Sequence, residues 1–361
     1  MRYFPFAFII CLQIFLSDGF IVGRNKKTNS EWVPPLKLIQ RIDFDCNEST
    51  QDRRNVLLKT LTLLGSSIPS TILLLKPEQA WADADIAPRI IIESPTGEVK
   101  KLFDEARVLE SQGNIFAAQR IYTKVTKISP NFIYGHSNLG NTLVALGSLD
   151  EADDSYTTAI RLCNESLLQR GSESSELFSS SCKRDLYLFY LNRGTVRLNN
   201  KRPKEALDDL NQAVALRGRP DAILIQNRAR ANEMNGYYTD ADTDYTMAIS
   251  MTSNEVTPLW LRAALVKFEL GNIQQAWELA LRVANKFPEA PEVRAALATF
   301  LWARGEEDNA RKKFLEIPDR ARKNYSKDTY LRNIIMWGPQ MRTKLSQVVT
   351  AVGDYDRKWD S

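Results

Sequence analysis

The chain has 361 residues, of which 43% are hydrophobic and 25% are charged, as in an ordinary folded protein. This composition excludes a chain that is disordered throughout, a collagen-like repeat and a coiled-coil rod. The net charge of +4 balances 48 basic against 44 acidic residues, which leaves no electrostatic footprint for nucleic acid, and one histidine with four cysteines in no CxxC spacing argues against zinc.

The first 19 residues are typical of a secretory signal peptide. Arg2 precedes an apolar run at 3–16, which is shorter than the ~20 residues that a membrane-spanning helix needs. Small and polar residues follow this run at 17–19. The alternative interpretation is a membrane anchor. The next segment, 20–52, is basic and polar at its start, and we interpret it as a transit peptide.

A second export signal is indicated over residues 53–82. A pair of arginines stands before a moderately apolar stretch, and an alanine-x-alanine pattern ends the segment where signal peptidase would cleave. This order resembles a twin-arginine signal. The candidate targeting residues are Arg53, Arg54, Ala80 and Ala82. The alternative is a buried helical hairpin, which the charged residues and the proline inside the stretch disfavour.

Two successive signals resemble the address of a thylakoid-lumen protein in an alga whose secondary plastid lies inside the endomembrane system. The aromatic residue Phe20 follows the first expected cut, as in the plastid-entry motif of such algae. The expected location is therefore the thylakoid lumen of a plastid, with a mature chain that begins near Asp83. Residues 1–82 hold ten basic and seven acidic residues, so the remaining chain has a net charge near +1.

A pattern of about 34 residues recurs six times from residue 99 onwards. Alanine stands at one register position in all six units, namely at Ala118, Ala152, Ala206, Ala241, Ala276 and Ala310. Glycine stands five positions earlier in five units, namely at Gly113, Gly147, Gly236, Gly271 and Gly305. Alanine lets two helices approach closely, and glycine permits the tight turn between them.

This pattern resembles the tetratricopeptide repeat. The resemblance implies an all-α fold, a right-handed α-solenoid of antiparallel helix pairs with about six units over 99–320 and a concave groove lined by the first helix of each pair. Residues 321–361 are expected to form capping helices over 328–336 and 339–349, with a mobile tail from Gly353. In the third unit Lys201 replaces the turn glycine, so a different turn is expected there.

About 20 extra residues separate the second and third units, and their glycine and serines predict a loop insertion at 164–184. Cys163 and Cys182 flank this loop and form a candidate disulfide, which would stabilise the fold by about 3 kcal/mol in the loop-entropy model. The alternative is a pair of unbonded small residues. The other two cysteines fall in the expected presequence.

The sequence predicts no catalytic residue, no metal site and no cofactor, because G-x-S-x-G, P-loop and G-x-G-x-x-G motifs are absent. His136 occupies a helix-packing position of the second unit. The acidic pairs Asp153-Asp154 and Asp208-Asp209 lie on second helices, where we interpret them as solvent-exposed faces.

The resemblance assigns a candidate peptide-binding groove to residues of the first helices: Lys100, Arg107, Tyr134, Asn138, Asn141, Asn192, Gln226, Asn227, Arg230, Arg262 and Trp302. Asparagine stands at one groove position in three successive units, where its amide can bond an extended peptide backbone. The alternative is that asparagine is simply common at this position.

The expected function is that of a non-enzymatic scaffold for protein–protein interaction. Its partners would be lumenal or thylakoid-membrane proteins or peptides, without nucleic acid and without stable membrane insertion of the mature chain. The predicted targeting signals and the segment Trp337-Gly338-Pro339 resemble those of a family of chloroplast-lumen repeat proteins. This resemblance suggests a role in the assembly or repair of photosynthetic complexes. Two alternatives stay open, an RNA-binding helical-repeat protein of the pentatricopeptide kind and an enzyme on a helical-repeat scaffold.

Overall fold

The computed structural model describes residues 95–168, 173–219, 221–252 and 256–359, with backbone alone for 173–180 and 354–359. The predicted targeting residues therefore lie outside the described residues. Within these ranges the regular structure is helical. None of the helices there combines the length and the apolar character that a bilayer span requires.

Twelve helices of the described chain follow one another as six pairs. Their bounds are α1 Gly97–Ser111, α2 Ile115–Ile128, α3 Ile133–Leu146, α4 Leu149–Leu168, α5 Glu173–Asn199, α6 Pro203–Arg217, α7 Ala222–Met234, α8 Tyr238–Met251, α9 Pro258–Glu269, α10 Ile273–Lys286, α11 Pro291–Ala303 and α12 Glu307–Leu315. Each helix packs against the next, which gives a solenoid of helix pairs. We call the side formed by the first helices of the pairs the A-helix face.

Small residues let the two helices of each pair cross closely. The first helices carry a buried alanine or glycine at the crossing, namely Ala106, Gly140, Gly194, Ala229, Ala264 and Ala298. At Gly140 an added Cβ would lie 2.9 Å from the ring of Tyr156 in α4, closer than carbon atoms approach without a shift. The alanines predicted at the second helix are fully buried at the same crossings. The repeat pattern therefore fixes the spacing of the helices.

The turn of the third unit differs from the prediction. Lys201 has φ +58°, close to the +82° of Gly147 at the matching position of the second unit. Its N–H donates to the carbonyl of Leu198 at 3.1 Å, and Arg202 N–H donates to the carbonyl of Arg197 at 2.8 Å. The equivalent two bonds close the turn after α3. The hydrogen bonds of the left-handed turn thus hold a lysine in a conformation that favours glycine.

The insertion is not the long loop that the sequence predicts. The helix α4 continues to Leu168 and α5 begins at Glu173, so most of 164–184 is helical. Two residues of the insertion belong to one apolar cluster with Leu162 and Leu186 of the flanking helices: Cys182 is buried in it and Leu167 packs against it. The helical backbone of α5 thus includes the serines at 174, 175 and 179–181, despite the weak helix propensity of serine.

Three further helices follow the last pair: α13 Asp319–Tyr325, α14 Asp328–Asn333 and α15 Pro339–Trp359. The first predicted cap is shorter than expected, because Met336 adopts φ +51° and the backbone leaves the helix after Asn333. The second runs through the expected tail to Trp359. Between α14 and α15, Ile335 and Trp337 are buried, whereas Ile334 is 48% exposed.

Candidate interaction groove

The asparagines predicted to line the groove are held by the protein's own hydrogen bonds. Asn138 Nδ2 donates to Tyr122 Oη at 3.4 Å. Asn141 Oδ1 accepts from Tyr156 Oη at 2.7 Å and from Asn192 Nδ2 at 3.4 Å, which links α3 to α5. These amides therefore have a structural role, because their hydrogen bonds join neighbouring helices of the array.

Asn227 continues this row on α7. Its Nδ2 donates to Thr195 Oγ1 of α5 at 3.1 Å. Asn192 and Asn227 are 6% and 4% exposed, so a ligand would meet a small part of each side chain. The structure thus brings the predicted asparagines together on one face, and it orients their amides before any ligand binds.

The remaining predicted residues at the amino-terminal end are more open. Lys100 and Arg107 are exposed on α1, and Arg107 Nη1 lies 3.9 Å from Asp104 Oδ1. Tyr134 Oη donates to Asp185 Oδ2 at 2.8 Å, which ties α3 to the start of the third unit. Two further predicted residues of α7, Gln226 and Arg230, are half-buried.

At the carboxyl end, the predicted groove residues bind the chain's own C-terminal segment. Arg262 donates from Nη1 to the carbonyl of Ile335 at 2.8 Å and from Nη2 to the carbonyl of Met336 at 3.2 Å. Trp302 Nε1 donates to Gln347 Oε1 of α15 at 2.9 Å. Arg262 lies on α9 and Trp302 on α11, and an internal segment contacts both side chains.

Two buried tyrosines bond to glutamates at the ends of the first helices. Tyr122 Oη donates to Glu110 Oε2 at 2.8 Å, and Tyr245 Oη donates to Glu233 Oε2 at 2.7 Å. Burial raises the pKa of Glu110 above its ordinary value, and the bond from Tyr122 opposes this rise. These pairs lock the second helix of a unit against the first.

The interpretation of the acidic pairs as exposed faces is wrong for one residue of each pair. Asp153 and Asp209 are 7% and 3% exposed. Arg197 connects them, because its Nε donates to Asp153 Oδ1 at 2.9 Å and its Nη1 to Asp209 Oδ2 at 3.0 Å. Their sequence neighbours, Asp154 and Asp208, are exposed. A helix turns about 100° per residue, so adjacent carboxylates point to different environments.

His136 is half-buried, and its Nε2 donates to the carbonyl of Pro130 at 2.8 Å. Burial lowers the pKa of this imidazole. In the part of the chain that the structure describes, no three His, Cys, Asp or Glu side chains are grouped to hold a metal ion.

A disulfide joins the two cysteines that flank the insertion. The Cα atoms of Cys163 and Cys182 are 5.8 Å apart, within the usual range for this bond. The bond connects α4 to α5, and both cysteines are buried. The disulfide therefore links α4 and α5 at the point where the two helices extend into the insertion.

The tetratricopeptide repeat family matches residues 135–166, which comprise most of α3 and α4. The same crossing residues and turn positions recur in the other five helix pairs. Residues 135–166 therefore form a tetratricopeptide repeat, and the described helices have the architecture of a solenoid built from such repeats. No curated protein matches its sequence.

Solved structures with a similar helical arrangement share little sequence with this chain. YrrB, described as a TPR protein with an unusual peptide-binding site, is 17% identical with a TM-score of 0.42, over 53% of this chain and 87% of YrrB. MamA from Desulfovibrio magneticus RS-1 is 16% identical with a TM-score of 0.44, over 53% and 96%. A chain of the APC/C hetero-tetramer Cut9–Hcn1 is 16% identical with a TM-score of 0.45, over 71% and 47%.

Sequence reasoning missed the charged pairs that bind the two helices of a repeat together. Arg193 donates to both carboxylate oxygens of Asp209, at 2.7 and 2.9 Å. Arg228 makes the same two bonds to Asp244 in the next repeat, at 2.6 and 2.9 Å. The signal was present, because both arginines precede their aspartates by 16 residues in consecutive repeats. Such bidentate pairs are geometrically specific.

Proposed function

We propose that this chain is a non-enzymatic protein–protein interaction scaffold that binds an extended peptide along the A-helix face of α3, α5 and α7. The row of Asn138, Asn192 and Asn227 carries the proposal. Among the described residues, no donor bonds to the Oδ1 atoms of these three asparagines, and those atoms are not sealed from solvent. Acceptors held in a row suit the N–H groups of an extended backbone.

Substitution of the row tests the proposal. Crosslinking and pull-down from isolated thylakoids with the mature full-length array are expected to recover a lumenal or membrane protein. The double variant Asn138→Ala, Asn227→Ala is expected to lose most of that recovery with its helical circular dichroism retained. Asn309→Ala, an exposed change on α12, serves as the matched control and should bind normally. Equal recovery by both variants would contradict binding along this row.

We propose further that the protein works in the thylakoid lumen of a secondary plastid, where it assists assembly or repair of photosynthetic complexes. The two successive export signals predicted within residues 1–82 support this location. N-terminal sequencing of the isolated protein is expected to find a start near Asp83. A mature protein that starts at Met1 or at Phe20 would contradict the proposed location, while the peptide-binding proposal would stand.

A further inference from the structure

The segment between α14 and α15 crosses the A-helix face as non-helical backbone. Arg262 donates to the carbonyls of Ile335 and Met336, and Glu233 of α7 positions the guanidinium through a bond of 2.7 Å from Nη2. Contacts to main-chain carbonyls do not depend on the side chains of the segment. In this respect Arg262 contacts the segment as a binding protein contacts an extended peptide.

Trp337 supplies the side-chain anchor of the segment. The indole is 3% exposed, and its Nε1 donates to Glu292 Oε1 at the start of α11, at 3.1 Å. Directly after it, Gly338 approaches the carboxylate of Glu269 so closely that an added Cβ would overlap that group. The pocket therefore encloses the indole of Trp337, and the carboxylate of Glu269 leaves no space for a Cβ at the next position unless it moves.

Glu269, at the end of α9, accepts hydrogen bonds from the first turn of α15. Its Oε2 accepts from the N–H of Gln340 at 3.1 Å and its Oε1 accepts from the N–H of Met341 at 2.9 Å. Gln340 Nε2 in turn donates to the Glu269 carbonyl at 2.7 Å. One carboxylate thus satisfies two N–H groups that the start of a helix leaves without partners.

The helix α15 then lies across the array with one apolar edge buried. Its buried residues repeat at intervals of three and four, at Met341, Leu345, Val348 and Val352. They join the apolar cluster that includes Phe300 of α11 and Phe314 of α12. An amphipathic helix laid on an apolar surface is a recurring mode of protein recognition.

We propose that the A-helix face of α9 and α11 is a second peptide-recognition site, specific for a tryptophan-glycine segment that leads into an amphipathic helix. The chain fills this site with its own residues 335–352. Met336 is held at φ +51°, a conformation disfavoured for a residue with a Cβ, so the bound segment differs from its preferred free form. Because the internal segment is part of the same chain, its effective concentration at the site is high. A partner that carries a tryptophan-glycine segment and an amphipathic helix therefore binds only when the contacts of the internal segment are weakened.

This site uses residues other than the asparagine row, so its test is independent of the function proposed above. The probe is a fluorescent synthetic peptide of residues 333–353, added to the full-length chain. A Trp337→Ala chain is expected to bind the peptide at least tenfold more tightly than the wild-type chain, as measured by fluorescence anisotropy. The control peptide, which carries the same Trp337→Ala change, should bind neither chain. A folded variant chain that ignores the wild-type peptide would overturn the proposal.

Hydrogen exchange on the wild-type chain provides a test that needs no variant. Amides of α15 are expected to exchange through a local opening that leaves α9 and α11 protected. Exchange of α15 only together with α9 and α11 would show that the segment is an inseparable part of the array, which would also overturn the proposal.

Discussion

At the scale of single residues, the turn between α5 and α6 holds Lys201 in the left-handed backbone conformation, which is unfavourable for a residue with a Cβ. The two hydrogen bonds of the turn and the stacking of α5 on α6 require the left-handed region. A Cβ in that region costs about 1–2 kcal/mol relative to the ordinary helical conformation. Lysine in place of the usual turn glycine therefore lowers the stability of the fold, while the chain follows the same path as in the other repeats.

Replacing Lys201 by glycine should stabilise the protein by about 0.5–1 kcal/mol, because the strain is removed and part of the gain is offset by the greater freedom of glycine in the unfolded chain. Thermal unfolding followed by circular dichroism would measure the change. The Lys201→Ala variant keeps the Cβ and should unfold close to the wild type. A glycine variant no more stable than the alanine variant would refute the argument from strain.

The buried carboxyl of Glu110 predicts a dependence of stability on pH. Its pKa is raised in the folded chain, so its favourable contribution is complete below the ordinary value of 4.5 and is lost as the pH rises through the folded-state pKa. The Glu110→Gln variant cannot ionise and keeps an acceptor for Tyr122. Its stability relative to the wild type should therefore increase as the pH rises above 4.5.

Urea unfolding at several pH values measures this difference for Glu110→Gln. The matched control is Glu105→Gln, an exposed change on the same helix, which should show little pH-dependent difference from the wild type. If the two glutamine variants respond to pH alike, the Glu110 carboxyl is not the source of the effect.

At the scale of helices, charged side chains decide how α5 and α6 fit together. Asp209 of α6 is buried and accepts from Arg193 and Arg197 of α5. Buried pairs contribute little net stability when they are intact, yet loss of one partner leaves an uncompensated charge. Asp209 thus holds α6 in position against α5, although a charged residue of this kind is usually exposed to solvent.

Asp209→Ala is expected to destabilise the protein by about 3 kcal/mol, because two largely buried arginines lose their shared partner. The adjacent change Asp208→Ala removes an exposed carboxylate from the same turn and should cost less than about 0.5 kcal/mol. Urea unfolding of both variants would measure this contrast. Similar losses in the two variants would show that the burial of Asp209 is not decisive.

The disulfide between α4 and α5 belongs to the same scale. The double variant Cys163→Ser, Cys182→Ser is expected to lose about 3 kcal/mol, because the unfolded chain is no longer constrained. Chemical denaturation with and without reductant measures the effect, and reductant should leave the variant unchanged. Alkylation followed by mass spectrometry checks the premise, since two free thiols in protein isolated without reductant would exclude the bond.

At the scale of the whole array, the A-helix face has two parts with different surfaces. The rows on α3, α5 and α7 carry oriented amides, whereas the surface of α9 and α11 is covered by the segment from Ile335 onwards. An incoming peptide would therefore meet a polar surface at one end and an internal ligand at the other. This division follows from the contacts of Arg262 and Trp302, which the repeat pattern alone places in an open groove.

The repeat architecture was predictable because it depends on contacts near in sequence. The recurring alanine and glycine positions specify close crossings and tight turns, and each helix packs mainly on its neighbours. The insertion was predicted less well, because its many serines indicate a loop, whereas Leu167 and Cys182 pack in the apolar cluster between α4 and α5 and both helices extend into the insertion.

The sequence by itself determined the helix pairs, their number and the face that each presents to the next, since a periodic pattern encodes local packing. Only the tertiary structure decided that Asp209 is buried while Asp208 is exposed, and that Arg262 binds carbonyls 73 and 74 residues further along the chain. The physical reason is the same in both cases. The partner of each charged group is brought near only when helices pack on one another, and the recurring 16-residue spacing from Arg193 to Asp209 becomes a contact only in the folded repeat.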